Sequence, residues 1–456
     1  MSSKINLFKN ASRIKREAVS TSIFSILGKG VSLVIPFFIG AWFGTTAETD
    51  AFFLAYSLLI FVAATVGSIF ETLLVPFVSD IRTRSDDVGL FIGNLIVRST
   101  IYLFTILLFL LVLVRPLITQ TTQFSGETIH LVWTLVLEMV AVVVFLTWTS
   151  ILNGALNCYR VFFVSAVSPG IRSVTVICAA FFLKDHLGIH ALPLGYVLGE
   201  ALRFFVGFYF FAKKIGSVHL TTRRTAIEMR PFLKSFIPQS AGLVFINLMM
   251  VVDQIMASWV GPGSLSIYAY ADRLYTIPYF LIATGVVPVV FSYWADAFSR
   301  SSADFSWQKI RGVMTDLTVL TVFFSILIVL LQGSISRFAF GRGVFPDSEL
   351  HTVGGLLALL GMGFPFQVLN LLCVRVLIIY KCNIFYMAVG FLRLVLDVIL
   401  NYLFMIFMGI YGIALSTSLL NLISAVVLYA YAKRLNQKHS ERAEELDLPL
   451  SSKEML

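Results

Sequence analysis

The chain has 456 residues, 58% of them hydrophobic and 13% charged, with a mean hydropathy of +0.88. A water-soluble domain carries about a quarter charged residues, and the long series of apolar segments here leaves little chain for any soluble domain. The net charge of +9 is gathered on short segments between apolar runs, a distribution that argues against nucleic acid as a partner.

The first 18 residues form a basic arm with Lys4, Lys9, Arg13, Lys15 and Arg16. The positive-inside rule places it in the cytoplasm, and no cleavable signal peptide is expected ahead of the first span. Twelve spans are predicted, near 19–43, 50–79, 90–115, 129–152, 162–183, 190–212, 235–257, 265–293, 312–332, 353–376, 384–407 and 411–432. On this scheme 23 of the 34 Lys and Arg are cytoplasmic and 4 external (Arg115, Lys184, Arg337 and Arg342), with the other 7 in or beside spans. That bias predicts both termini in the cytoplasm. The tail 433–456 is charged and mixed, and reads as a frayed helix end followed by disorder.

The two halves share short stretches in the same order. Ala41-Trp42-Phe43-Gly44 recurs as Ser258-Trp259-Val260-Gly261, Ile151-Leu152-Asn153 as Val368-Leu369-Asn370, and Phe211-Ala212-Lys213-Lys214 as Tyr431-Ala432-Lys433-Arg434. The expected fold is therefore all-α and polytopic, with twelve transmembrane helices in two parallel six-helix lobes. An N-lobe (19–212) and a C-lobe (235–432) are joined by a basic cytoplasmic linker (213–234), which reads as an anchor on anionic membrane lipids. A pseudo-two-fold axis would run along the membrane normal, with a cavity between the lobes as the natural binding place.

Ionisable groups within spans are costly and are functional by default. Lys29 lies about ten residues into the first span between Gly28 and Gly30. Asp50 starts the second span, where a carboxylate also favours a helix start, and Glu71 falls in its inner third. Arg98, Glu138 and Arg172 follow in the third, fourth and fifth spans. Glu200 and Arg203 are three apart on the sixth span and can pair locally. Asp253, Asp316 and Arg375 lie in the second half, where Arg393 and Asp397, four apart, read as a structural pair. Asp272 and Arg273 are adjacent in the eighth span. Neighbouring residues point about 100° apart on a helix, so neither neutralises the other simply. Lys29, Glu71, Arg98, Arg172 and Arg273 remain without an evident local partner. Four of the five are cationic, which suits an anionic ligand such as a phosphate or pyrophosphate.

No enzyme constellation is visible. The six histidines form no HExxH, no P-loop is present, and the four cysteines (Cys158, Cys178, Cys373 and Cys382) have no metal-ligand spacing. No cofactor is expected, and transport would run on a gradient, the membrane potential or downhill flow.

Several stretches together resemble the MurJ/MviN family of lipid II flippases. They are Phe43-Gly44, Thr49-Asp50-Ala51-Phe52-Phe53 and Val75-Pro76; Ile151-Leu152-Asn153 with Arg160; Tyr270-Ala271-Asp272-Arg273-Leu274 with Pro278; and Phe340-Gly341-Arg342-Gly343 with Phe345. The similarity runs from about residue 20 to 435. The family sits within the superfamily of multidrug, oligosaccharidyl-lipid and polysaccharide exporters. The resemblance implies two lobes around a V-shaped cavity, alternating access in the bacterial inner membrane, and an undecaprenyl-diphosphate-linked glycan as cargo. It makes Arg273 the cavity arginine, Asp50 the acidic residue, and Lys29 a lysine where the family has arginine. With these, Arg98 and Arg172 are candidate substrate ligands; Asp50, Glu71 and Asp272 are candidates for gating or for coupling to Na+ or H+.

The chain departs from the family at Ile35, Ala63 and Ala64, where the resemblance implies arginine, and twelve spans are counted where the family usually has two more. These departures leave lipid II and other polyprenyl-linked glycans, such as exopolysaccharide or O-antigen repeat units, both open as cargo. A multidrug or small-cation antiporter of the same superfamily is the alternative; an acidic, aromatic pore would suit it better than a basic one. A glycan polymerase or ligase would need a large external loop, and the longest here, about 333–352, is too short for a domain.

Overall fold

A computed structural model describes residues 28, 30–83, 87–220, 244–245, 247–300, 306–380 and 382–447. The described residues are helical throughout, without a strand. In chain order the helices are α1 (Ile35–Phe43), α2 (Ala47–Thr83), α3 (Val88–Thr121), α4 (Gly126–Cys158), α5 (Phe162–Leu187), α6 (Ala191–Lys214), α7 (Asn247–Ala257), α8 (Ser264–Leu281), α9 (Val287–Arg300), α10 (Trp307–Phe340), α11 (Asp347–Met362), α12 (Phe364–Ile379), α13 (Asn383–Met408) and α14 (Ile410–Asp447).

Local chemistry sets their ends. Asp87 accepts from Leu90 N–H at the start of α3, and Ser125 accepts from Thr128 N–H at the start of α4. A helix of 34 residues such as α3 runs about 51 Å at 1.5 Å per residue, longer than the ~30 Å hydrocarbon core. Its exposed side carries Phe104, Phe109 and Val112, each about two-thirds accessible, as expected of a lipid-facing surface.

Among the described residues, eight helical stretches are long and apolar enough to cross a membrane, or nine if α11 and α12 form one bent span. One of the eight, Phe162–Lys214, contains both α5 and α6, joined by a 3-10 turn at Gly188–His190. The shorter apolar helices Gly30–Phe43 and Asn247–Ala257 fall within the first and seventh expected spans. The tenth expected span, 353–376, is not one straight helix: α11 and α12 meet at 43°. Gly363 lies at the break against Ser418, where a Cβ would come within 2.6 Å of the Ser418 hydroxyl. Pro365 in the first turn of α12 needs no N–H there. The last helix continues to Asp447, past the expected end near 432.

The described residues form two compact units. The first reaches Tyr270 and adds 339–349; the second holds 271–338 and the residues from Leu350 onward. In the first, α2 packs along α4, α5 along α6, and α4 against α6. Its core joins Phe70, Leu74, Phe91, Ile92, Ile151, Leu152 and Phe211. In the second, α14 packs against both α12 and α13, and α9 lies against α12. A π-helical turn, Ile282–Val286, connects α8 to α9.

Candidate functional site

Parts of the family-like stretches, from Phe43–Phe53, Tyr270 and Phe340–Phe345, scattered over some 300 residues of sequence, meet in the first unit. Asp50 is fully buried. Its Oδ2 accepts the Gly263 N–H at 2.6 Å and its Oδ1 the Ser266 N–H at 2.7 Å. Both donors belong to the start of α8, whose first N–H groups have no partner within the helix. The carboxylate therefore caps a distant helix, and its charge faces the positive end of that helix dipole. Asp50 also lies in the first turn of its own helix α2, as expected, so the cap on α8 is a second role that the sequence did not show.

The surroundings complete a latch. Gly263 has φ +83, and a Cβ there would lie 2.6 Å from the Thr45 carbonyl, so glycine is required on both counts. Nearly two turns into α8, Tyr270 donates its hydroxyl to the Gly44 carbonyl at 2.8 Å. Its ring contacts Phe53, Phe340 and Phe345, with centroids at 5.3, 4.9 and 5.5 Å. The turn after Phe340 presses on α1: Gly343 has φ +134, and a Cβ there would lie 2.4 Å from the Ala41 carbonyl. Thr45 donates its hydroxyl to Glu349.

The cationic candidates divide. Lys29 lies outside the described residues. Glu71 falls within α2, with its side chain outside them. Arg98 on α3 and Asp272 and Arg273 on α8 are half-buried. Neither Arg98 nor Arg273 makes a hydrogen bond or ion pair among the described residues.

Arg172 is not unpaired. Its Nη1 donates to Glu200 Oε1 at 3.1 Å, and Arg203 Nη1 donates to both oxygens of the same carboxylate at 2.7 and 2.8 Å. Arg203 Nε donates to Ser168 at 2.7 Å. Gly199 makes the cross-helix pair possible: a Cβ there would lie 3.0 to 3.1 Å from Arg172, so α5 and α6 approach closely at that level. The local Glu200–Arg203 pair is present; the reach of Arg172 across from α5 had no signal in the sequence spacing. Glu138, too, has a partner: His190 Nδ1 lies 2.8 and 3.0 Å from its two oxygens.

In the second unit Arg393 is more than half of a local pair with Asp397. It donates to Asn421 Oδ1 and to Ser424 Oγ on α14, with Asp397 as an electrostatic neighbour. No group of three or more His, Cys, Asp or Glu that could hold a metal occurs among the described residues. The chemistry on offer is that of buried charge: a carboxylate latch on α8 and guanidinium groups with unused donors.

The sequence model of the family "Lipid II flippase MurJ" matches residues 39–450. The probable lipid II flippase MurJ of Buchnera aphidicola subsp. Schizaphis graminum is 22% identical over 438 residues, covering 91% of this chain and 82% of that protein. The lipid II flippase MurJ of Burkholderia cenocepacia is 24% identical over 371 residues, with 76% and 70% covered. Among solved structures, lipid II flippase MurJ in an inward closed conformation superposes with a TM-score of 0.79 at 24% identity, covering 91% of this chain and 87% of that one. An inward-facing multidrug resistance MATE family transporter of the MOP superfamily gives 0.77 at 15% identity, covering 93% and 98%. The likeness to these structures shows a common fold. With the family match running through nearly all of its helices, the chain belongs to the lipid II flippase MurJ family, whose members are multi-pass inner-membrane transporters rather than enzymes.

Proposed function

We propose that this protein moves a polyprenyl-diphosphate-linked glycan, either lipid II or a polysaccharide repeat unit, across the bacterial inner membrane by alternating access. The observation that carries the reading is Arg273. It stands in the family-like stretch Tyr270–Leu274, inside an apolar helix, with a guanidinium that makes no hydrogen bond or ion pair among the described residues and has Asp272 as its electrostatic neighbour. A diphosphate matches that fork of donors in geometry and charge. Arg98 supplies a second such cation; Lys29 and Arg172 are further ligands on this reading, Arg172 only once it leaves Glu200.

Both termini are placed in the cytoplasm by the distribution of Lys and Arg. On that orientation the Asp50 latch lies on the external side, and its release would open the path outward. Asp50, Glu71 and Asp272 are then the candidates for gating or for coupling to Na+ or H+. Ile35 and Ala63, where the family resemblance implies arginine, are buried, so an arginine could not enter unchanged. This favours a headgroup site rebuilt from other residues and leaves the glycan open.

The test is replacement of the resident lipid II flippase. The full chain is expressed in a strain depleted of its own flippase, and lipid-linked precursors are measured on each face of the membrane. Restored growth with precursor reaching the outer face is the expected result. A membrane-inserted protein that restores neither lipid II nor any lipid-linked repeat unit, but changes drug tolerance, would replace this reading with the antiporter one.

A further inference from the structure

The hairpins α5–α6 and α13–α14 are built alike. Helices α5 and α13 each have 26 residues, and each is followed by a glycine of nearly equal positive φ, 55° at Gly188 and 56° at Gly409. Each carries an arginine at its eleventh position, Arg172 or Arg393. Each guanidinium reaches the residue 28 positions onward, Glu200 in one hairpin and Asn421 in the other. The residue three further on is engaged as well: Arg203 donates to Glu200, and Ser424 accepts from Arg393. The acceptor differs. Arg172 meets a carboxylate, whereas Arg393 meets an amide oxygen and a hydroxyl, which leave its charge in place.

Around Arg393 a second cation has gathered. Arg375 of α12 and Arg393 both act electrostatically on Tyr279 of α8 and on Tyr386 of α13. Arg375 also lies over the Phe291 ring at 5.5 Å. The Nε groups of Arg375 and Arg393 are each buried without a hydrogen-bond partner, a state that is costly to leave uncompensated. Among the described residues the carboxylate that acts on Arg393 is Asp397; Asp272 acts with Arg393 on Tyr275, one turn before Tyr279. All four residues keep part of their surface exposed, while the two Nε atoms themselves are buried.

We propose that Arg375 and Arg393, with the hydroxyls of Tyr279 and Tyr386, form a binding site for the diphosphate of a lipid-linked ligand. Two guanidinium cations, Arg393 by exchanging its bonds to Asn421 and Ser424, and two phenolic donors match an oxygen-rich dianion, and the positive charge of the two arginines is what such a ligand would neutralise. The inference rests on the proposed reading of the cargo as a diphosphate ester and names a second place where that group docks.

The full chain is purified in detergent, and its melting temperature is titrated with inorganic pyrophosphate and with geranylgeranyl diphosphate. Geranylgeraniol and phosphatidylglycerol serve as probes without a diphosphate. Both diphosphates should stabilise the protein. Arg375→Met and Arg393→Met should raise the half-saturating concentration roughly tenfold or more, and Tyr386→Phe severalfold. Tyr386→Phe keeps every charge, so it gives a reading even if an arginine variant fails to fold. Unchanged half-saturation in Arg375→Met and Tyr386→Phe overturns the site. Stabilisation by phosphatidylglycerol but not by pyrophosphate also overturns it, because the phosphate is then that of bilayer lipid. The flippase-replacement strain separates the two proposals. Rescue by wild type with unaltered binding in the variants removes this site and keeps the function. Arginine-dependent binding without rescue keeps the site and removes the function.

Discussion

Asp50 and Ser266 are 216 residues apart in sequence and 2.7 Å apart in the fold, carboxylate to backbone N–H. With the Gly263 N–H on its other oxygen, Asp50 holds the first turn of α8, and Arg273 stands on that same helix. Breaking the contact strands a buried carboxylate and two backbone donors until water reaches them, so the contact is costly to release.

Asp50→Asn tests the latch. The amide offers one oxygen where the carboxylate offers two, and its NH2 group would face one of the two N–H donors. Although asparagine is a good cap at an ordinary helix start, here it should destabilise the folded protein by about 1–3 kcal/mol, the cost of a buried donor left unpaired. Gly263→Ala should act in the same direction, because φ is +83 and the Thr45 carbonyl occupies the space. The readouts are melting temperature in detergent and labelling of a cysteine placed at Thr45. Unaltered melting and labelling in both variants would return Asp50 to a passive role.

Glu200→Ala should be far more damaging than its single position suggests. It would leave Arg172 and Arg203 facing each other in the membrane without their shared carboxylate, and losing one partner of a buried ion pair costs on the order of 3–5 kcal/mol. Protein abundance in the membrane should fall sharply. Adding Arg172→Met to Glu200→Ala should recover part of the loss by removing one stranded charge. A double variant no more abundant than the single one would show that the two do not act as a pair.

The long apolar helices were legible in the sequence because lipid imposes a simple rule, about 20 apolar residues per crossing; their ends were less so, α10 running over 307–340 against the expected 312–332 and α14 to Asp447 against 432. The break at Gly363 was not, because it depends on Ser418 in another helix. The i,i+3 pair Glu200–Arg203 was readable, since helix geometry fixes it. The Arg172–Glu200 contact was not, as it depends on how closely α5 and α6 approach at Gly199. Asp50 stood out as a charge at a span border, but nothing local points to a helix start some 213 residues onward. The chemistry-bearing residues were visible; their partners depended on packing between helices.

The orientation proposed from charge can be checked directly. In a cysteine-free background, single cysteines replace Gln123, in the turn between α3 and α4, and Ser217, just after α6; both positions are exposed. The cysteine at 123 should react with an impermeant reagent added outside intact cells, and that at 217 only after the membrane is opened. Reaction of both from one side would be incompatible with the odd number of crossings that the twelve-span scheme puts between them.

Arg273 gives the sharpest separation of structural from functional roles. Its guanidinium has no hydrogen-bonded or ion-paired protein partner among the described residues, and its electrostatic neighbour is Asp272, so its removal breaks no hydrogen bond and costs only that through-space attraction. Arg273→Ala should therefore insert and melt much as wild type does. If the group grips a diphosphate, transport should still fall on the order of ten- to a hundredfold, the worth of charge-assisted hydrogen bonds. Arg273→Lys keeps the charge but replaces a planar fork by a point donor, and should recover only part of the activity. Abundance, melting temperature and flipping are measured on the same preparations. Loss of abundance and melting temperature in Arg273→Ala would assign the residue to structure. A stable alanine variant with full flipping would remove it from the site, and with it the strongest single argument for an anionic cargo.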